Sequence, residues 1–134
     1  MTEDELKKRL KDWAVAVVLF TRQFPKEPEF KAVRGQLVRS APSAAANYRA
    51  ACRGKSTPDF INKLKTVEEE LDESMFWLEF AVALSAELRP PVVPLYKEAD
   101  ELLAIIVASI KTSRAKPASP KPSKPPKPPK NNDP

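Results

Sequence analysis

Six basic residues between positions 31 and 55 are of the types, and at the spacing, that contact phosphate groups. No acidic residue interrupts them. In a continuous helix that turns about 100° per residue, the first five fall within an arc of about 140° opposite the apolar seam. Such arrays bind phosphate backbones through counterion release, and arginine suits bidentate phosphate contact. The sequence therefore predicts nucleic-acid contacts from Lys31, Arg34, Arg39, Arg49, Arg53 and Lys55.

The alternative for this basic stripe is a solvated helix face. A run of acidic residues on the next helix could neutralise it, namely Glu68, Glu69, Glu70, Asp72 and Glu73. No helix-turn-helix glycine turn, zinc-ligand pairing or aromatic ribonucleoprotein motif is present in the sequence. We therefore expect recognition of backbone and shape, with RNA and DNA both candidates.

Five carboxylates have a spacing that could hold a magnesium ion. Glu69, Glu70 and Glu73 follow the Glu-Glu-x-x-Glu spacing of all-α nucleotide pyrophosphohydrolases, in which residues three and four positions apart share a helix face. Those enzymes need a second acidic pair on a later helix, and Glu98 and Glu101 have that separation. Acidic runs are more often solvated or paired with a basic helix, so a magnesium-dependent pyrophosphohydrolase is the remote alternative.

Other catalytic constellations are missing from the sequence. The chain contains no histidine, which excludes a Ser-His-Asp triad, a Cys-His pair and the Glu-x-x-His ligands of di-iron bundles. Gly54, Lys55 and Ser56 resemble the end of a phosphate-binding loop, but Arg49 occupies the position of its first glycine. Cys52 is a lone cysteine at the edge of an apolar seam, where packing is its usual role. We therefore predict a protein that is not an enzyme and needs no cofactor or metal.

The elements that position these residues are helices. The sequence holds only two glycines, and apolar residues recur at alternating steps of three and four in four segments. Thr2 and Glu5 suit a capping box at the first helix, and Thr57 with Pro58 suits a cap and first position for the third. Pro42 predicts a kink or a break in the second helix. Because the connections are short, the fold predicted is an all-α, up-down-up-down antiparallel four-helix bundle.

The charge distribution divides the chain into two parts. The net charge is +5, of which the last twenty residues carry +4, from five lysines and one aspartate, so the rest carries +1. Eight of the fifteen prolines also lie there, which predicts a disordered basic tail at 115–134 after a bundle domain at 1–114. The tail could strengthen binding to polyanions, or present Pro122-x-x-Pro125 to an aromatic groove.

The sequence also predicts the compartment. The N-terminal segment is acidic and lacks the basic and apolar regions of a signal peptide. Its apolar runs, such as 13–20, are too short to span a bilayer. We expect a cytoplasmic protein that does not bind a membrane.

Two helices carry more apolar residues than one seam requires. The third has Phe76, Trp77 and Phe80 beyond its seam, and the fourth has an excess at Leu103, Val107 and Ile110. Either these side chains widen one core or they are buried by self-association, and both alternatives stay open here. In the second case, the subunit contacts would come from Phe76, Trp77 and Phe80.

The second and third helices contain an ordered series of short motifs: Gln36-Leu37-Val38-Arg39-Ser40, Ala46-Asn47-Tyr48-Arg49-Ala50-Ala51, Ser56, Asp59-Phe60-Ile61, Lys63-Leu64, Glu69-Glu70, Asp72-Glu73-Ser74 and Phe76-Trp77-Leu78-Glu79. With these motifs the chain resembles a bacterial four-helix-bundle family over roughly residues 10 to 110. That family includes the proteins encoded in intervening sequences of large-subunit ribosomal RNA genes, and the chain is also similar to the accessory variability protein of diversity-generating retroelements.

The resemblance implies a homopentameric, barrel-like ring with basic surfaces suited to nucleic acid. It also implies a ribosomal RNA element or a reverse transcriptase as the functional setting. Together with the residues, it predicts a non-enzymatic, homo-oligomeric nucleic-acid-binding protein. The alternative is a protein-protein adaptor whose apolar faces bind another chain and whose basic stripe is only solvated.

Overall fold

The computed structural model describes residues 1–115, which form four α-helices and two single 3-10 turns. The helices are α1 (Glu3–Phe20), α2 (Pro28–Cys52), α3 (Thr57–Leu84) and α4 (Arg89–Ala115). The turns cover Thr21–Gln23 and Ala86–Leu88. The disordered tail predicted for residues 115–134 lies outside the described residues, except for Ala115, which ends α4.

Side-chain caps define where α1 and α3 begin. The predicted capping box is present: Thr2 Oγ1 accepts the N–H of Glu5 at 3.0 Å, and Glu5 Oε1 accepts the N–H of Thr2 at 3.3 Å. In α3 the predicted cap was one residue late. Ser56 is the N-cap, and its Oγ accepts the N–H of Asp59 at 3.2 Å, so Thr57 is the first helical residue.

Prolines interrupt the helices less than their sequence positions predicted. The α2 helix continues through Pro42, so the local break expected there is absent. Pro42 and Val38, whose carbonyl loses its usual partner, both lie on the exposed surface, where water can satisfy that oxygen. The α4 helix includes Pro90 and Pro91 in its first turn, where no N–H is required, and therefore begins earlier than the sequence indicated.

The four helices enclose one apolar core. Each helix packs against its two neighbours around the bundle, so that α1 and α3 lie on one diagonal and α2 and α4 on the other. This confirms the predicted up-down-up-down bundle. The largest side chains completely shielded from solvent are aliphatic residues of the predicted seams: Leu10, Leu37, Leu64, Leu71, Leu78, Leu102 and Ile106.

Polar contacts brace the pair formed by α1 and α4. Arg9 donates to both oxygens of Glu98 at 2.6 and 2.7 Å and to Glu101 at 2.9 Å. Trp13 Nε1 donates to the carbonyl of Leu95 at 3.0 Å, which satisfies a donor that burial would otherwise leave unpaired. Within residues 1–115, no helix combines the length and the apolar character needed to cross a membrane.

Candidate nucleic-acid interface

The basic stripe of α2 divides into engaged and unengaged cations. Arg39 is engaged: it pairs with Glu70 at 3.1 Å and with Glu73, both on α3. The hydrogen bond to Glu73 is the main cause that raises the pKa of Arg39 above its ordinary value. Two carboxylates therefore compensate the charge on Arg39. At this residue the structure matches the alternative of a helix face that is neutralised by acidic residues of the next helix.

Arg34 also contacts the protein itself. Its Nε and Nη2 donate to the carbonyl of Thr21 at 3.4 and 3.3 Å. Thr21 is buried and belongs to the turn that follows α1. Arg34 therefore ties α2 to the end of α1, although no carboxylate neutralises its charge within residues 1–115.

The remaining four cations of the stripe are exposed: Lys31, Arg49, Arg53 and Lys55. Across the part of the chain that the structure describes, none of them has a carboxylate within ion-pair distance. A rise of about 1.5 Å per residue puts Lys31 and Arg49 about 27 Å apart along α2, although both face the same side. The structure therefore brings together Arg49, Arg53 and Lys55 and leaves Lys31 isolated near the start of the helix.

The connection between α2 and α3 holds two of these cations close together. Arg53 is the C-cap of α2, and Gly54 follows it with its N–H donating to the carbonyl of Ala51 at 2.9 Å. A Cβ on Gly54 would stand 3.0 Å from that same oxygen and 3.0 Å from Asp59 Oδ2. Glycine thus permits a tight turn, and the exposed residues Arg53 and Lys55 flank Gly54 in the chain. Asp59 is the acidic group that also borders this turn.

Sequence reasoning missed the lysines of α1. Lys7, Lys8 and Lys11 line a groove between α1 and α2 together with Arg49. Lys7 and Lys8 have local partners, Asp4 at 3.5 Å and Asp12 at 2.5 Å, whereas Lys11 has no ion pair within residues 1–115. The signal was available, because antiparallel packing places the start of α1 beside the end of α2.

The carboxylates considered for magnesium are held by arginines. Arg39 binds Glu70 and Glu73, and Arg9 binds the acidic pair on α4. The hydrogen bonds that Arg9 donates to that pair, the one to Glu98 first, raise the pKa of Arg9 above its ordinary value. No cluster of three or more possible metal ligands converges within residues 1–115. Glu69 is left exposed beside these pairs.

The extra apolar residues of α3 and α4 have different surroundings. Ile110 is buried and Leu103 packs against the core, so these two residues of the excess on α4 widen the core, and Val107 is half-buried. On α3, Trp77 packs partly against the core, whereas the side chains of Phe76 and Phe80 remain 53% and 39% exposed. The three rings contact one another, with centroids 4.9 to 5.9 Å apart. An aromatic cluster therefore stands on the outer surface of α3.

The fold and this surface define an all-α four-helix-bundle protein with a basic outer face. Residues 3–108 match the model of the 23S rRNA-intervening sequence protein family, and the chain belongs to that family. This confirms the resemblance inferred from the residues of α2 and α3.

A solved structure supports the same assignment. It comes from Bacteroides thetaiotaomicron VPI-5482 and is described as a protein with unknown function from the S23 ribosomal protein family. It is 27% identical in sequence, with a TM-score of 0.75, and the match covers 83% of this chain and 99% of that chain. No curated protein is significantly similar to this chain.

Proposed function

We propose that this protein is a non-enzymatic, homo-oligomeric protein that binds nucleic acid through its phosphate backbone. The observation that carries the proposal is the group of three cations at the C-terminal end of α2 and just after it, Arg49, Arg53 and Lys55, which form no ion pair within residues 1–115. Arg39 and Arg34 are engaged within the bundle, so they serve the fold first. The nucleic-acid surface proposed here is therefore smaller than the stripe predicted from the sequence.

Phosphate backbones suit this surface for a physical reason. Each lysine or arginine that contacts a phosphate releases condensed counterions, and this entropy favours binding at low salt. Arginine adds a planar pair of donors that matches two phosphate oxygens. The sequence carries no recognised base-reading motif, so we expect affinity for many sequences with strong salt dependence.

The family description directs the choice of ligand. It names the 23S rRNA, which makes a structured fragment of that RNA the first ligand to test and duplex DNA the comparison. An accessory role toward a ribosomal RNA element or a reverse transcriptase belongs to the same proposal. Self-association, with a pentamer as the expected state, would repeat the three cations around an axis and strengthen binding by multivalency.

The test measures RNA and DNA binding across a salt series. We expect the double variant Arg53→Ala, Lys55→Ala to bind more weakly and to lower the slope of log affinity against log salt by about two, one for each lost phosphate contact. The matched control is Lys97→Ala, Lys111→Ala, which removes two exposed lysines from α4, the helix on the other end of the diagonal from α2. The control should keep the wild-type slope.

Removal of residues 116–134 separates the bundle from the tail. Binding by the truncated protein that depends on Arg53 and Lys55 supports the proposal. Equal losses in both double variants would show that only net charge matters, and binding lost with the tail alone would move the contact away from α2.

The adaptor alternative is favoured by the exposed rings of Phe76 and Phe80. Exposed aromatic clusters commonly bind another protein chain. If the intact, assembled protein binds neither RNA nor DNA at low salt, the basic surface is only solvated and the adaptor becomes the better proposal.

A further inference from the structure

The outer surface of α3 and the adjoining edge of α4 carry more carboxylates than cations. Five of these carboxylates form no ion pair within residues 1–115: Glu68, Glu69, Asp72, Glu79 and Asp100. Two lysines border them, Lys65 at the near end of α3 and Lys97 on α4. On the side toward α2, Arg39 pairs with Glu70 and Glu73. The surface therefore keeps an excess of negative charge.

Tyr96 of α4 joins these carboxylates across the boundary between α3 and α4. Its hydroxyl donates to Glu79 Oε2 at 2.9 Å. This hydrogen bond first, then partial burial, and then the charges of Glu79, Asp100 and Asp72 raise the pKa of Tyr96 above its ordinary value. Carboxylates from both helices therefore lie around one tyrosine ring.

Aromatic rings continue the same surface along α3. Phe76 and Phe80 follow Asp72 at steps of four residues, which keep one helix face. Their ring centroids are 5.9 Å apart, and the ring of Trp77 contacts both. Exposed aromatic surface of this kind remains available for binding after folding. We call the surface formed by Glu69, Asp72, Phe76 and Phe80 the acidic-aromatic ridge.

Lysine and proline are the residue types that suit this ridge. The ammonium group of lysine pairs with carboxylates and is also attracted to the faces of aromatic rings. Proline-rich segments bind to surfaces that are lined by aromatic side chains. Residues 116–134 of this chain, which lie beyond the described residues, contain five lysines, eight prolines and a single acidic residue. The composition of this segment is therefore complementary to the ridge.

The segment also begins in the right place. Ala115 ends α4, which packs antiparallel against α3, so residue 116 leaves the bundle beside the start of α3. From Thr57, α3 rises about 18 Å to Glu69 and about 35 Å to Phe80. An extended proline-rich chain advances about 3.1 Å per residue, so about 6 residues reach Glu69 and about 11 reach Phe80. The segment is long enough to follow the whole ridge.

This path sets complementary side chains against each other. Counted from the end of α4, the sixth residue is Lys121, and the tenth and eleventh are Pro125 and Pro126. A lysine then reaches the carboxylates, and two prolines reach the rings. The cations at the end of α4, Lys111 and Arg114, lie before the ridge begins and therefore do not oppose the contact there.

We propose that residues 116–134 bind the acidic-aromatic ridge of α3 in their own chain. The covalent link favours this occupant, since a short tether supplies its ligand at an effective concentration on the order of millimolar. The inference goes beyond the proposed function and requires neither nucleic-acid binding nor self-association. The docked segment shields the rings of the ridge from water and engages lysines that a polyanion would otherwise contact.

Paramagnetic relaxation on the full-length chain tests where the segment lies. A nitroxide attached at Ser123→Cys stands between the lysine and the prolines of this register. Cys52 is buried, and treatment of the wild-type chain with the same reagent checks that it stays unlabelled. The amide signals of residues 69–80 should lose most of their intensity, whereas those of Lys11 and Val15, across the bundle on α1, should keep theirs. Equal losses on α1 and α3, or none on either, overturn the inference.

Neutral variants of the ridge carboxylates test the ionic part of the contact. In the nitroxide-labelled chain, Glu69→Gln with Asp72→Asn should lower the ratio of docked to undocked segment about fivefold, because exposed ion pairs contribute modestly. Added salt should lower the same ratio in the chain without these changes. The control, Glu27→Gln with Glu29→Gln, removes two exposed carboxylates at the start of α2 and should leave the ratio unchanged.

Alanine variants of the rings test the apolar part. Phe76→Ala with Phe80→Ala should lower the docked ratio about tenfold, because two apolar contact surfaces are lost. The control, Val15→Ala with Leu19→Ala, truncates side chains of similar exposure on α1 and should have no effect. Circular dichroism should show wild-type helical content throughout, since all these positions are exposed. Ridge variants that leave the intensity losses unchanged overturn the inference.

A mixed sample separates the chain's own segment from that of another copy. Nitroxide-labelled chain without nitrogen-15 is mixed with nitrogen-15 chain without nitroxide, and the signals of residues 69–80 should then keep their intensity. Losses in this mixture as large as those in the singly labelled chain would show docking between copies and overturn the contact within one chain. Because no nucleic acid is present, the outcome is independent of RNA binding.

Discussion

The α2 helix is packed closely on one side and openly on the other. Toward α3, the hydroxyls of Ser40 and Ser74 form a buried hydrogen bond of 2.7 Å. On the exposed surface of the same helix pair, Arg39 forms an ion pair with Glu70 at 3.1 Å. Toward α1, a groove of about 950 Å³ separates the outer surfaces, and aliphatic side chains such as Val15 stay half exposed.

This difference separates stability from binding within one small bundle. The α2–α3 side satisfies its polar groups internally and buries its apolar ones, so it contributes to the free energy of unfolding. The α1–α2 side leaves both cations and apolar surface in contact with solvent. Apolar surface that stays exposed after folding can still be buried against a partner, and this burial would stabilise the complex.

Two leucines, one on each side of the bundle, test this difference most directly. Leu71 on α3 is fully buried, whereas Leu19 on α1 is 46% exposed. Leu71→Ala should lower the free energy of unfolding by about 2–5 kcal/mol through lost burial and a cavity. Leu19→Ala should change it by less than about 0.5 kcal/mol. Urea unfolding measures both free energies, and repeating it at several protein concentrations separates the contribution of assembly. Equal losses of unfolding free energy in the two variants would mean that the groove side is as important to folding.

A smaller effect is expected at the buried serine pair. Ser40 Oγ has Ser74 Oγ as its partner within residues 1–115, while Ser74 Oγ also contacts the carbonyl of Glu70 at 2.9 Å. Ser74→Ala should therefore cost about 1–2 kcal/mol, because it leaves the Ser40 hydroxyl buried without a partner. Ser40→Ala should cost less.

The double variant provides the control for this prediction. Replacing both serines by alanine removes the orphaned hydroxyl and should be more stable than Ser74→Ala alone. A double variant that loses the sum of the two single effects in thermal and urea unfolding would contradict the hydroxyl contact as the cause.

The smallest expected effect concerns Arg39. It tests the difference between cations that form an ion pair within residues 1–115 and cations that do not. Arg39→Ala should leave the salt slope of RNA binding unchanged, because two carboxylates already compensate this charge. Arg49→Ala should reduce the slope by about one. Fluorescence anisotropy over a salt series measures both slopes, and equal reductions would place Arg39 in the nucleic-acid surface after all.

Sequence patterns predicted most of the fold for local reasons. The alternating steps of three and four, the capping box at Thr2 and Glu5, and the short connections each act within a few residues, so they identify helices without knowledge of neighbours. Proline positions were predicted less well. Of the kink or break predicted at Pro42, the break is absent from α2, whose turn there faces water, and α4 begins ahead of Pro90 and Pro91 because a first turn needs no donors.

The candidate site was predicted only as a set of residue types. All six cations of the stripe are equivalent in a sequence, and helical periodicity could place five of them on one face. It could not say that α3 would present Glu70 and Glu73 to Arg39 while Arg49 and Arg53 would form no ion pair in the described part of the chain. The exposed rings of α3 could likewise have packed inward, as Ile110 of α4 does.

The sequence by itself determined four amphipathic helices, the capping box of α1 and the antiparallel order of the helices, because these depend on backbone hydrogen bonds and on the periodicity of apolar side chains. Only the tertiary structure decided which charges are paired, which apolar residues stay exposed and where the groove lies. Those properties depend on distances between residues far apart in the chain, such as the 31 positions between Arg39 and Glu70. Coulomb attraction and burial act through space, and the packing of the helices sets that space.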